Sequence, residues 1–221
     1  MLDLCFAKIE FIIFRHHIQQ LILSTEIMSC IENKSESTKF SRDGINYDVG
    51  SVGGMNTIIY VRWGKGSERG ILIDAGGIPN DSNALNLNHV FFTHLHADHF
   101  KQILKLVREG VTFYVPIDKA EPLENFLRAY ADLTENPMWV KVIGLDIGDE
   151  IILDKGRMRI QTFRTFHDTA CNGYVIGQLK RIIKPEYINC SPDEKEVLGK
   201  MGKLSETKYI NVSAMTVPKN A

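Results

Sequence analysis

Four metal-ligating side chains within six residues constrain this chain more than any other feature of its sequence. Residues 93–99 read Thr-His-Leu-His-Ala-Asp-His and directly follow a short strand that is apolar on both faces. Imidazole nitrogens and carboxylate oxygens are ligands that Zn²⁺ accepts outside thiolate sites. If the chain leaves the strand extended, His94 and His96 project to the same side and can bind one metal ion. Asp98 and His99 come as the chain turns into a helix, displaced toward a second metal position, as in sites for in-line displacement at phosphorus.

A later histidine is a candidate for a further ligand of the first metal. His167 follows the predicted strand Arg157–Phe166 and precedes a Gly-Tyr pair that leads into a new apolar strand. The interval between His99 and His167 fits one strand–helix layer between ligands. Position alone therefore makes His167 a candidate metal ligand, whereas the other isolated histidines carry no such signal.

From about residue 45 the chain alternates short apolar strands with two helical segments. Apolar side chains at i, i+3, i+4 and i+7 from Phe100 to Val107 predict an amphipathic helix, and a second helix is predicted over about 119–132. Asp154-Lys155-Gly156 is predicted as the turn of a β-hairpin. This order of elements, without an internal repeat, predicts a layered α+β sandwich. The predicted strands cover residues 57–61, 70–74, 89–93, 111–115, 141–145, 150–153 and 157–166.

Residues 1–43 are predicted to be an N-terminal extension, disordered or helical, outside a domain that spans 44–221. The first 30 residues are rich in apolar side chains, but an Arg-His-His triplet interrupts them, so no run of about 20 apolar residues exists to span a membrane. Acidic residues precede the apolar block, which does not fit a signal peptide. Residues 31–43 are polar and are predicted to be a linker.

Composition narrows the class of protein. The chain is 44% hydrophobic and 24% charged, which excludes a collagen, a mucin-like stalk and a wholly disordered chain. Its net charge of −1 provides no general attraction for nucleic acid, so such a partner needs a local patch or a metal. Residues 178–221 carry eight basic and five acidic side chains and form such a locally basic segment. The four cysteines form no Cys-x-x-Cys pair, which argues against a zinc ribbon and favours a reducing compartment.

The His-x-His-x-Asp-His motif at 94–99, preceded by a strand that ends in Asp74-Ala-Gly, resembles the metallo-β-lactamase superfamily. The resemblance covers about residues 44–219 and implies an αβ/βα four-layer sandwich. Within the superfamily the flanking sequence is most similar to the short form of ribonuclease Z, whose members use zinc to remove 3′ trailers from precursor tRNA. The segments that carry this closer similarity are 142–150, 162–167, 173–176 and 184–187.

The resemblance implies a site for two zinc ions. Asp98 and His99 correspond to ligands of the second zinc, and Asp98 is also the family's candidate for orienting the attacking water. Asp74 corresponds to the aspartate at the end of the preceding strand, which orients the ligands without binding the metal itself. The first zinc has three histidine ligands, which correspond here to His94, His96 and His167.

The sequence departs from the family pattern in two places. Phe100-Lys101-Gln102-Ile103 stands where the family usually continues with Gly-Leu. After Gly177 the sequence has neither the Gly-Asp-Thr turn that carries the metal-bridging aspartate nor a further histidine. We therefore expect the N-terminal part of such an enzyme, without the C-terminal half of the sandwich: a fragment, a short isoform or a mispredicted gene. One zinc per chain and little nuclease turnover are expected from it.

The resemblance also implies partners. Precursor tRNA is the expected partner, with residues 178–219 as a candidate tRNA-binding arm, and neither DNA nor a membrane is expected. A homodimer, or pairing with a full-length copy, is implied, as is a cytoplasmic or nuclear location, with organelle targeting left open. Two alternatives stay open: another hydrolase of this fold, acting on an ester, thioester or cyclic phosphodiester, and a non-catalytic protein that binds RNA or a protein partner.

Overall fold

In the part of the chain that the structure describes, the first of two β-sheets contains seven strands that follow one another in chain order. The computed structural model describes residues 38–52, 56–64, 69–77, 87–137 and 139–215. The sheet is antiparallel from β1 to β4 and parallel from β4 to β7. Its strands are β1 (Thr38–Arg42), β2 (Ile45–Val52), β3 (Asn56–Trp63), β4 (Arg69–Ile73), β5 (His89–Phe91), β6 (Val111–Pro116) and β7 (Val140–Leu145).

The parallel part of this sheet requires crossover connections, because a parallel strand cannot be reached by a tight turn. The connection from β5 to β6 contains the short helix α1 (Ala97–Phe100) and a 3₁₀ turn (Ile103–Leu106). Helix α2 (Ala120–Thr134) connects β6 to β7 and buries Leu123 and Leu127. The helix predicted over about 119–132 is therefore confirmed.

The single amphipathic helix predicted from Phe100 to Val107 is wrong. Helix α1 ends at Phe100, and Gln102 lies at φ −95° and ψ 8°, outside the helical range. The backbone N–H of Gln102 donates to the carbonyl of Ala75 at 2.9 Å, which holds the chain against the end of β4. A tertiary hydrogen bond therefore breaks the helix, and Ile103 is buried from a 3₁₀ turn instead.

The second sheet has four antiparallel strands in the order β11-β10-β9-β8. The predicted hairpin at 154–156 is confirmed: a 3₁₀ turn there joins β8 to β9, with Lys155 in the left-handed region at φ 54°. Helix α3 (Pro192–Lys200) lies between β10 and β11 and begins with a capping box formed by Ser191 and Glu194. The strands are β8 (Glu150–Leu153), β9 (Met158–Arg164), β10 (Asn172–Ile183) and β11 (Ser205–Met215).

The main core lies between the two sheets. Tyr174 of β10 is fully buried, its ring lies 5.4 Å from that of Phe91, and its hydroxyl donates to the carbonyl of Phe92 at 2.7 Å. A second apolar cluster includes Val90, Phe113 and the buried face of α2, on the opposite side of the first sheet. The predicted α+β sandwich is thus confirmed, and the described residues form a helical layer and two sheet layers.

Part of the predicted N-terminal linker is a strand. Thr38–Arg42 forms β1 and pairs with β2, with the Phe40 and Tyr47 rings stacked at 4.7 Å. Asp43 and Gly44 make the connecting turn with positive φ angles of 55° and 79°, a conformation that glycine adopts without strain. Residues 1–37 of the predicted extension lie outside the described residues. Among the described residues no helix has the length and apolar character needed to cross a membrane.

Candidate metal centre

A buried aspartate marks the end of β4, where the site begins. Asp74 is 1% exposed and has a positive φ of 60°, which turns the chain sharply out of the strand. Its carboxylate accepts hydrogen bonds from the backbone N–H of Thr93 at 2.8 Å and from the Thr93 hydroxyl at 2.9 Å. The same carboxylate lies 2.8 Å from Nδ1 of His99. Asp74 therefore joins the end of β4 to the loop that follows β5.

The backbone after Asp74 fixes the start of α1. The N–H of Ala75 donates to the carbonyl of His99 at 2.5 Å, and the N–H of Gly76 donates to Thr57 at 3.0 Å. A Cβ atom at Gly76 would overlap the backbone carbonyl of Asp98 and lie 2.6 Å from the backbone nitrogen of Thr57. Glycine is therefore needed here so that α1 can approach this closely.

His94 has one ring nitrogen engaged and the other directed away from that contact. Its Nδ1 lies 3.0 Å from the hydroxyl of Thr93. Because that hydroxyl gives its single proton to the carboxylate of Asp74, it accepts from His94, which places the His94 proton on Nδ1 and a lone pair on Nε2. Burial, followed by the charges of three neighbouring histidines, lowers the pKa of His94 to about 2. The ring is therefore neutral at physiological pH, the state in which imidazole binds a metal.

His94, His96 and His167 form one group. Each offers a ring nitrogen, and the three nitrogens all lie within 4.8 Å of one another. The ring centroids are 4.7 Å apart for His94 and His96, and 4.4 Å apart for His94 and His167. The geometry thus brings together the histidines that the sequence assigned to the first metal.

The link between the two sheets explains how His167 reaches this group. Asn172, at the start of β10, donates its N–H to the carbonyl of Thr93 at 2.9 Å and its side-chain amide to the carbonyl of Leu145 at 3.1 Å. These bonds hold the loop between β9 and β10 beside the loop after β5. His167 lies in that loop with a side chain only 3% exposed, and neither of its ring nitrogens makes a hydrogen bond to the described residues.

Asp98 and His99 lie beside the histidine group rather than in it. The Asp98 carboxylate is 3.5 Å from Nε2 of His99, and the His99 ring is 4.0 Å from the His94 ring. Burial lowers the pKa of His99, but the hydrogen bond to Asp74 and the charges of Asp74 and Asp98 outweigh burial, so the pKa is raised. The two side chains are therefore close to each other and to the histidine group, and their role as ligands of a second metal stays a prediction.

Sequence reasoning missed several residues that build this site. Thr93 was read only as the end of a strand, although its hydroxyl connects Asp74 to His94. Asn172 gave no signal, because its role depends on contacts between sheets. Asp168 was also missed: its carboxylate contacts Nδ1 of His167 and lies 3.9 Å from Nε2 of His96. The signal that could have identified Asp168 is that it is a carboxylate next in sequence to a candidate ligand histidine.

Comparison with known proteins gives a family match and curated relatives. Residues 71–183, more than half of the chain, match the family described as the Beta-lactamase superfamily domain. That segment runs from β4 into β10 and contains the whole candidate site. The chain is 30% identical over 131 residues to tRNase Z TRZ1 of Arabidopsis thaliana, across 56% of this chain and 46% of that protein. It is 24% identical over 131 residues to the nuclear ribonuclease Z of Triticum aestivum, across 56% of this chain and 73% of that protein.

The chain thus spans less than half the length of the Arabidopsis protein it matches. Among solved structures, the metallo-beta-lactamase fold protein YhfI of Bacillus subtilis aligns with a TM-score of 0.42 at 16% identity. That alignment covers 57% of this chain and 52% of YhfI.

Proposed function

Because the chain belongs to the beta-lactamase superfamily, we propose that it is a zinc-dependent phosphodiesterase of the type that processes tRNA 3′ ends. The observation that carries the proposal is the group of His94, His96 and His167, whose ring nitrogens lie within 4.8 Å of one another beside Asp98. The superfamily match supports a hydrolase, and the similarity to proteins named tRNase Z and ribonuclease Z supports the finer assignment.

The donor set fits a zinc ion. The family and the histidine group indicate a metal, and three imidazoles with an open fourth position are a catalytic zinc arrangement. Nε2 of His167 is buried without a hydrogen-bond partner among the described residues, which is costly for a polar atom unless a ligand occupies the space it faces. When bound, zinc would supply Lewis-acid activation of water and neutralise charge that develops at phosphorus.

Asp98 is the candidate catalytic residue among the side chains of this chain. Its side chain is 20% exposed and lies 3.5 Å from Nε2 of His99, whose ring is 4.0 Å from that of His94. From this position Asp98 can contact solvent and the water that attacks a substrate phosphate. In the proposed reaction its carboxylate accepts a hydrogen bond from that water, orients it and takes up its proton. Asp74 and Thr93 are buried and hold His94 and His99 in place.

We propose one firmly bound zinc and slow turnover. Among the described residues, the second position has only Asp98 and His99, whereas the first has three histidines. Two protein ligands hold a metal less firmly than three, so the second ion is expected to exchange readily. Dimer formation, pairing with a longer copy and a cytoplasmic or nuclear location stay predictions.

The proposed RNA-binding arm, residues 178–219, includes the outer half of β10, helix α3 and β11. Several of its lysines are already paired, since Lys180 lies 3.2 Å from Asp43, Lys200 lies 2.6 Å from Glu196 and Lys208 lies 3.4 Å from Glu206. Each such pair reduces the number of counterions that phosphate binding can release. The salt dependence of tRNA binding is therefore expected to be weaker than the eight basic residues of 178–221 alone imply.

The test is a single-turnover assay with the chain in excess over a labelled precursor tRNA that carries a 3′ trailer, with zinc present. We expect slow cleavage at the 3′ end of the tRNA body, lost in His94→Ala. In Asp98→Asn we expect lost cleavage with the first zinc retained, because Asp98 lies outside the group of three histidines. A chain that neither binds nor cuts the precursor, but hydrolyses a small ester or a cyclic phosphodiester, would contradict the proposal and favour another hydrolase of this fold.

A further inference from the structure

Asp168 is a carboxylate shared by two of the three histidines. One of its oxygens contacts Nδ1 of His167 and also lies 3.9 Å from Nε2 of His96. We propose that Asp168 is a positioning residue: it does not bind the metal, and it orients both imidazole rings so that their other nitrogens face the metal. This inference rests on the proposed function, since it takes the histidine group to be the zinc site.

The contacts divide the ring nitrogens into two sets. Each imidazole has two nitrogens, and a nitrogen that faces a carboxylate carries the proton, so the other keeps the lone pair that binds a metal. For His167 the nitrogen that faces Asp168 is Nδ1, which leaves the buried Nε2 for the metal. For His96 it is Nε2, which leaves Nδ1. In His94, Nδ1 is hydrogen-bonded to the hydroxyl of Thr93, so Nε2 is the nitrogen available to a metal.

The two contacts of Asp168 differ in strength. The 3.9 Å separation from His96 is longer than a hydrogen bond, so that contact is electrostatic. The contact with Nδ1 of His167 is closer, although it lacks the angles of a hydrogen bond. His167 is therefore the ring that depends most on Asp168.

The exposure of Asp168 separates its effect on metal affinity from its effect on folding. Its side chain is 78% exposed, so its loss leaves no cavity, and the buried Nδ1 of His167 loses an electrostatic contact but no hydrogen bond. A carboxylate behind a ligand histidine fixes the ring and raises its basicity, and removing such a group costs about 10–100-fold in metal affinity. Solvent screening places the expected loss for Asp168 near the lower end of that range.

The experiment measures the zinc Kd of the full chain by competition with a chromophoric chelator. We expect Asp168→Ala to weaken zinc binding about 10-fold and Asp168→Asn to weaken it less, because the amide keeps a partly negative oxygen facing Nδ1 of His167. Asp132→Asn, on the exposed side of α2, removes the same charge away from the site and should leave the Kd unchanged. The thermal unfolding of the metal-free chain should be the same in all four proteins.

The visible spectrum of the cobalt-substituted chain distinguishes a positioning residue from a ligand. If Asp168 orients the rings, Asp168→Ala should keep the band intensity of a four-coordinate site at saturating cobalt. A change in coordination number would make Asp168 a ligand and overturn the proposal, as would a zinc Kd within twofold of wild type in Asp168→Ala. If wild type and His94→Ala bind zinc equally, the histidine group is not the site, and the proposed function fails together with this inference.

Discussion

The loop after β5 and the loop after β9 bring histidines to the same point, but the carboxylates that contact these histidines differ between the two loops in burial and hydrogen bonding. Asp74, behind His94 and His99, is 1% exposed and accepts several hydrogen bonds. Asp168 is 78% exposed, contacts Nδ1 of His167 and lies 3.9 Å from Nε2 of His96. The first arrangement is part of the core, whereas the second lies at the surface of the site.

This difference assigns the two loops separate roles. Buried hydrogen-bonded carboxylates are strongly coupled to folding, because their removal leaves donors without partners in a low-dielectric interior. Exposed carboxylates contribute little to stability, because water replaces them. The loop after β5 should therefore determine whether the site forms, and the loop after β9 should determine how firmly the site holds a metal.

The largest effect is expected from Asp74→Ala. The substitution removes the acceptor for Thr93 and leaves the buried His99 without its carboxylate, so the free energy of unfolding should fall by about 3–5 kcal/mol. Chemical denaturation of the metal-free chain measures the loss, and Asp132→Ala on the exposed face of α2 is the control for deleting a carboxylate. A loss below about 1 kcal/mol would mean that the hydrogen bonds of Asp74 contribute little to the free energy of unfolding.

A smaller effect is expected at the contact that joins the two loops. Tyr174→Phe removes the hydroxyl that donates to the carbonyl of Phe92 at 2.7 Å and leaves that carbonyl without this partner. We expect a loss of about 1–2 kcal/mol, which is about 2–8 °C in Tm for a chain of this size. Differential scanning calorimetry measures it. An unchanged Tm would show that the two sheets are not held together at this point.

The smallest expected effect concerns Cys171, at the end of the loop after β9, and its measurement needs no mutation. Burial raises the pKa of the Cys171 thiol to about 11, so the thiol stays protonated at any pH well below that value and does not react as a thiolate. Iodoacetamide at pH 8, followed by peptide mass spectrometry, should label Cys190 before Cys171, because Cys190 is partly exposed. Equal labelling would show that this end of the loop opens as readily as its exposed part.

The sequence alone was sufficient for the features that depend on local spacing. The cluster at 93–99, the strand before it and helix α2 could be read from residue types and periodicity. His167 was identified because it follows a strand, and the structure places it within 4.8 Å of His94 and His96.

Features that depend on contacts between distant segments could not be read in this way. The helix predicted after Phe100 is broken by a hydrogen bond from Gln102 to Ala75, which no local pattern encodes. Strand β1 looked like a linker because its residues are mostly polar, and its pairing with β2 depends on the turn at Asp43 and Gly44. The roles of Thr93 and Asp168 likewise follow from which side chains face them.

The most direct test of this account is the zinc content of the purified full chain, measured by elemental analysis beside His94→Ala and His167→Ala. We predict about one zinc per chain in wild type and almost none in either variant, because each variant leaves only two histidine ligands. Thermal unfolding of the metal-free proteins is the control for folding. Zinc retained in both variants, or absent from a folded wild-type chain, would contradict a metal site built from both loops.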